Sequence, residues 1–378
     1  MASAFRADHV GSLLRPPELL QARTDFAEKR IAADQLRAAE DAAVLKALDL
    51  QRQAGIDVYT EGEYRRAGWS TALRDSVEGL VPDPAPQSTR RILGRWQGPS
   101  SDLANTALNL FGPSMVVGAR LRQVRRIAGA EAAFLRQHAP GPWKITMPGP
   151  MTSLLMYKAG ISDKAYPTRK EFVAEIAAMI QREVGALIED GASYIQLDSL
   201  HYVERLAYPA MRQQMIADGE DPEAYLDDLI AADNAALAGA RREGVTVGVH
   251  MCRGNNRSAW HAEGSYEPIA EKAFGRLNVD RFLLEYDTDR AGGFEPLRFV
   301  PRNKMVVLGL ISSKLPQLES IDQLRRRIDE AAKYVPIENL AISPQCGFAS
   351  TVLGNLLTWD DQRRKLELVV ETARKVWG

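Results

Sequence analysis

Cys252 and Cys346 are the only cysteines in this 378-residue chain, and the first stands close to a histidine that could share a metal ion with it. His250 and Cys252 are two apart in VGVHMCRGN. On an extended strand that spacing turns both side chains to one side. Glu285 in FLLEYD and Cys346 in SPQCGF end similar apolar runs. Two thiolates, one imidazole and one carboxylate suit zinc, which is tetrahedral, redox-inert and content with mixed sulfur and nitrogen donors. The chemistry zinc would supply is thiol activation, because a free thiol with a pKa of ~8.5 is mostly protonated at neutral pH. Two plainer uses of the cysteines stay open: one long-range disulfide, or two inert buried thiols.

Residues so far apart in sequence meet only if a regular scaffold brings strand ends together. Apolar, β-branched-rich runs occur at 9–13, 58–63, 144–147, 194–198, 246–252, 282–287, 305–311 and 340–343. Amphipathic stretches between them, such as 37–54, 169–190, 224–243, 321–333 and 359–376, have apolar residues at helical spacing. The alternation predicts an α/β protein, a single (β/α)8 TIM barrel over residues 1–378, with its active face at the C-terminal strand ends. At those ends fall Gly11 and Ser12, Glu61 and Glu63, Asp198, His250 and Cys252, Glu285 and Asp287, Ser312 to Lys314, and Cys346. The segment of about 64–142, with Pro82, Pro84, Pro86, Gly94, Gly98 and Pro99, is too long for an ordinary connection. It is expected to be an insertion after the second strand, carrying its own hairpin and helix and arching over the barrel mouth.

Composition narrows the partners. Lys and Arg total 48 against 49 for Asp and Glu, so no positive field is available to hold a nucleic-acid backbone. No run reaches the length of a membrane span and no secretory signal is evident at the N-terminus, which leads to an expectation of a cytoplasmic protein with small-molecule partners.

The runs DHVGSLLRP, TEGEYRR, MPGPMTS, IQLD, VHMCRGN, LLEYD and SPQCGF resemble, in order and over almost the whole chain, the catalytic barrel of cobalamin-independent methionine synthase. The resemblance implies that His250, Cys252, Glu285 and Cys346 hold Zn2+ and that the acceptor is homocysteine or a similar thiol. It also implies that Val10, Gly11 and Ser12 lie near the substrate carboxylate while Glu63 and Asp198 hold its ammonium group. Donors for a carboxylate and acidic acceptors for an amine are what an amino-acid substrate requires.

The full-length family enzyme has an additional N-terminal barrel, so this chain resembles the single-barrel branch. Met156 stands where the family has a tryptophan that helps hold folate, with Tyr157, Trp69 or Trp260 as replacement platforms. The family's proton-donating histidine after strand seven is replaced by Ser312, Ser313 and Lys314, which leaves Lys314, His201 or a water to protonate the leaving group. The loop 253–257, RGNNR, is expected either to grip an anionic substrate group or to fasten itself by hydrogen bonds. His261 receives no role. The expected reaction is methyl transfer to homocysteine from a methylfolate or other methyl donor. The alternatives are another zinc-dependent thiol alkylation, such as that of epoxyalkane:coenzyme M transferase, and a barrel of the uroporphyrinogen decarboxylase type without catalytic metal.

Overall fold

The computed structural model describes residues 5–85, 96–98, 100–106 and 114–378. Pro86, Gly94 and Pro99 of the expected insertion lie outside them. Two sheets are present among the described residues. β1 (Val77–Pro82) and β2 (Met115–Gln123) form an antiparallel pair inside the 64–142 segment. The second sheet is parallel, with β3 (Lys144–Pro148), β4 (Tyr194–Ser199), β5 (Thr246–Met251), β6 (Arg281–Glu285), β7 (Met305–Ile311) and β8 (Leu340–Pro344) in consecutive order.

Every residue of β4, β5, β6 and β8 is buried, as expected for parallel strands covered on both faces. The helices between them begin where side chains satisfy free backbone N–H groups. Thr168 caps the helix Arg169–Glu189 and Ser320 caps Ile321–Ala331. Thr358 and Asp361 form a reciprocal capping box at the start of Trp359–Trp377. Among the described residues no helix is long and apolar enough to cross a membrane.

The runs 9–13 and 58–63 do not form strands. In their place, single parallel bridges join Ala7 to Ile342 of β8 and Tyr59 to Trp143, just ahead of β3. Asp57 N–H also donates to the Ala7 carbonyl at 3.1 Å, which links the two segments to each other. Regular pairing stops early because the backbone turns: Gly11 has φ +145°, Gly62 +74° and Glu63 +61°, values that end a strand.

A charged cluster sits where the strands begin. Lys144 Nζ donates to Asp8 Oδ1 at 2.8 Å and to Gln196 Oε1 at 3.0 Å. Arg281 and the Tyr194 hydroxyl reach the other Asp8 oxygen at 3.3 and 3.2 Å. Burial alone would raise the Asp8 pKa, but Lys144 and Arg281 outweigh it and hold the carboxylate below its ordinary value. Removing the anion would leave two buried cations facing each other. Asp8→Ala is therefore expected to lower unfolding stability by about 3–5 kcal/mol in urea titrations monitored by circular dichroism; an unshifted midpoint would show that the cluster has no structural role.

Candidate metal centre and substrate pocket

His250 lies in β5, Cys252 is the first residue beyond it, Glu285 is the last residue of β6, and Cys346 follows β8 by two positions. Their ligand atoms all lie within 4.8 Å of one another and all four residues are buried. The two sulfurs are 3.5 Å apart and both cysteines are free thiols, so the disulfide reading does not hold. Each side chain is oriented from behind. His250 Nδ1 meets the Leu283 carbonyl at 3.3 Å, so it carries the hydrogen and Nε2 is left facing the cluster. That buried Nε2 has no hydrogen-bond partner among the described residues. Gly254 N–H donates to Cys252 Sγ at 3.3 Å. Glu285 accepts from Arg253 N–H at 2.8 Å and from the Arg290 guanidinium at 3.1 Å.

The charges respond to this crowding. The Cys252 thiol hydrogen-bonds to Cys346 and, against burial, brings it down to about 5 with help from His250. Cys252 is pushed well up by the same contact. Burial opposes protonation of His250, yet Cys346, Asp198 and Glu285 outweigh it and raise its pKa to about 9. Burial likewise opposes ionisation of Glu285, but Lys314, Arg290 and His250 keep it below its ordinary value. The cluster thus gathers anionic donors around an orphaned imidazole nitrogen, with protons standing where a divalent cation would replace them. The donor set fits such an ion.

A second group of polar side chains lies alongside. Asp198 pairs across from His250 in the β4–β5 register. Its Oδ1 accepts from Gln196 Nε2 at 2.7 Å, and the same amide donates to the Val10 carbonyl at 2.8 Å. Burial and the neighbouring Glu63 raise Asp198 to about 7, against the pull of His250. Glu63 is 2% exposed, which excludes a surface ion pair. One of its oxygens accepts from Thr146 Oγ1 at 2.9 Å, and the other is buried without a partner among the described residues. Arg65 instead pairs with Glu40 and Asp41, and Arg66 with Glu61. Gly11 approaches so closely that an added Cβ would lie 2.7 Å from Thr146 Cγ2 and 3.4 Å from Glu63 Oε1. Ser12 is gripped by the loop carrying Cys346: its carbonyl accepts from Phe348 N–H at 2.9 Å and its hydroxyl from Ala349 N–H at 3.3 Å. A Cβ on Gly347 would overlap the Ser12 hydroxyl. The substrate-pocket residues expected from sequence therefore sit together beside the four-donor cluster.

The remaining candidates divide. Lys314 is buried and donates to Asn255 Oδ1 at 2.8 Å and to the Gly254 carbonyl at 3.3 Å, bracing the loop that follows Cys252. Asn255 in turn donates to the Gly347 carbonyl at 2.7 Å and to Ser350 at 3.0 Å. His201 faces Tyr225, its Nδ1 at 2.7 Å from the hydroxyl, and burial followed by Arg205 lowers it to about 3. Arg253 fastens its own loop, donating to the Gly264 carbonyl at 2.7 Å and lying over Tyr266. Sequence reasoning passed over Arg290, for which the i,i+3 spacing from Asp287 was the available signal.

Comparison with known proteins gives the family. Residues 122–375 match the family described as cobalamin-independent synthase, catalytic domain. The Bacillus subtilis protein YxjH is 36% identical over 379 residues, covering 99% of this chain and 95% of its own. A methionine synthase of Pyrococcus abyssi is 24% identical over 341 residues, covering 89% of this chain and 84% of its own. The crystal structure of a candidate vitamin-B12-independent methionine synthase from Listeria monocytogenes superposes with a TM-score of 0.72 at 25% identity, covering 100% of this chain and 99% of that one. The chain belongs to the cobalamin-independent methionine synthase family.

Proposed function

We propose that this protein is a zinc-dependent methyltransferase that methylates the thiol of homocysteine, using a methylfolate or a related methyl donor. The observation that carries the reading is the four-donor cluster of His250, Cys252, Glu285 and Cys346 standing beside a half-satisfied buried carboxylate, Glu63. Zinc held by those four residues would supply the acidity that brings an incoming thiol to its thiolate at neutral pH. Glu285 is the residue suited to withdraw, because Arg253 N–H and Arg290 already satisfy both its oxygens. Glu63 and Asp198 would bind the substrate ammonium, whose positive charge relieves the cost of burying two carboxylates together. The backbone around Gly11 and Ser12 would meet the carboxylate, and Lys314 would hold the metal loop in register.

The same reading includes the frame. The bridges from β8 to Ala7 and from Tyr59 to Trp143 support closing the parallel sheet into a (β/α)8 barrel of one domain, with 64–142 as an insertion near its mouth. That insertion meets the C-terminal loops through the bridges Gly68 to Thr351 and Gln97 to Trp260. Two free thiols 3.5 Å apart suit a reducing compartment such as the cytoplasm.

A sulfonate thiol such as coenzyme M has no amine for Glu63 and Asp198. Metal analysis of the purified chain is expected to find one zinc, and calorimetry to find homocysteine bound at least about tenfold more tightly than coenzyme M. Cys346→Ser is expected to abolish both zinc retention and thiol binding. Absence of zinc, or preference for coenzyme M, would sink the proposal.

Asp198 offers a second test. Its folded pKa of about 7 lies far above the ordinary carboxylate value, so the native state holds a proton that the unfolded chain releases. Its contribution to stability therefore falls as pH rises from about 4 to 7. Asp198→Asn is expected to gain about 0.5–2 kcal/mol at pH 8 while losing affinity for homocysteine and keeping it for a thiol without an amine. Unchanged homocysteine affinity would remove Asp198 from the ammonium site.

A further inference from the structure

Methyl transfer from an amine leaves a chemical need that the residues named so far do not meet. When carbon departs from nitrogen, the nitrogen keeps the bonding pair, and such an anion is too basic to leave without a proton. A general acid must stand near the sulfur cluster. Of the chain's five histidines, His250 belongs to the cluster. His9 meets the Val58 carbonyl at 3.1 Å, beside the Asp8 network. His138 ends the helix Gly129–His138 against Phe134, and His201 is occupied by Tyr225.

His261 is placed differently. Its backbone N–H donates to the Arg253 carbonyl at 3.2 Å. Its ring lies over Gly254, where an added Cβ would overlap the imidazole. The N–H of that glycine donates to Cys252 Sγ, so a single residue, without a side chain, separates the ring from the sulfur. Trp96 meets the ring edge-on from another direction, with centroids 4.8 Å apart. Nδ1 faces Glu204 Oε1 at 3.6 Å, and both side chains are buried, at 3% and 4% exposure. Glu204 is carried on the π-helical turn Tyr202–Ala207 that follows β4, a wide turn of the kind often found at functional sites. Adjacent strands thus each supply half of a buried imidazole–carboxyl pair beside the cluster.

We propose that His261, backed by Glu204, is the proton donor to the leaving amine nitrogen of the methyl donor, an inference that rests on the thiol methyltransferase reading above. In the step, the thiolate sulfur forms a bond to the methyl carbon and the carbon–nitrogen bond breaks, its electron pair staying on nitrogen. That nitrogen takes the proton of His261 Nε2, while Nδ1 takes the proton of Glu204. Glu204 is left as a carboxylate and regains its proton from water after product departs.

The charge state of the pair fits this task. Burial pushes Glu204 up to about 8, with Arg205 opposing. Burial pushes His261 down to about 4, Lys314 adding to the effect and Glu285 opposing it. Near neutral pH the pair therefore holds its transferable proton on Glu204 and buries no net charge. The 3.6 Å separation is of the kind that shortens when substrate fills a site.

The test uses the zinc-loaded full chain, homocysteine and two donors. In 5-methyltetrahydrofolate the leaving nitrogen must gain a proton; in methyl iodide the leaving ion needs none. His261→Asn is expected to slow transfer from 5-methyltetrahydrofolate by about 10²–10³-fold while leaving the methyl iodide rate and homocysteine affinity within about twofold. Wild-type transfer from the folate is expected to fall as pH rises past about 8, where Glu204 loses its proton. The near-isosteric Glu204→Gln should slow transfer and erase that fall. Equal losses with both donors, an undiminished folate rate in His261→Asn, or a wild type that uses methyl iodide but not the folate would each overturn the assignment. A wild type that takes up no homocysteine would instead defeat the thiol reading on which it stands.

Discussion

Two sulfurs held 3.5 Å apart in a buried site, with Glu285 and Asp198 beside them, concentrate more negative charge than a protein interior tolerates without compensation. Much of the surrounding architecture answers that constraint. Among these groups His250 is drawn toward its charged form, Cys252 keeps its proton, and Lys314 and Arg290 offset Glu285. A divalent cation would satisfy the same requirement more completely. Of the groups that compensate the cluster's charge, Arg290 also orients Glu285, as the Leu283 carbonyl orients His250.

Polar order at the other end of the sheet follows a different logic. Asp8, Lys144, Arg281, Tyr194 and Gln196 are joined by hydrogen bonds in one buried charged network. At the C-terminal strand ends, satisfaction is incomplete: His250 Nε2 and one Glu63 oxygen are buried without a partner among the described residues. Such incompleteness costs stability. Both atoms lie at the end where the βα loops converge, the candidate active face.

The loops add a mechanical link. Lys314, Asn255, Gly347 and Ser350 tie the chain after β5 to the chain after β7 and β8, while Ser12 is held by Phe348 and Ala349. The cysteine-bearing loops and the Gly11–Ser12 turn consequently form one braced unit. Glycines at 254 and 347 are required because neighbouring groups occupy the space a Cβ would need.

Periodicity and spacing in the sequence marked the six runs that become the parallel strands β3 to β8, several of the helices between them and the four donors that cluster. Those signals are local: apolar runs bounded by turns, and a His-x-Cys pair at one strand end. Strands at 9–13 and 58–63 were misread because their apolar residues are genuinely buried, while Gly11, Gly62 and Glu63 adopt conformations that break regular pairing. Arg65 and Arg66 stand next to Glu63 in the sequence, but folding engages them with Glu40, Asp41 and Glu61. His261 and Glu204 carried no motif, since they lie far apart in sequence and their pairing exists only across adjacent strand ends. Residue types determined which donors were available; tertiary structure decided which would be left unsatisfied, because desolvation and partner choice depend on what the rest of the chain packs against them.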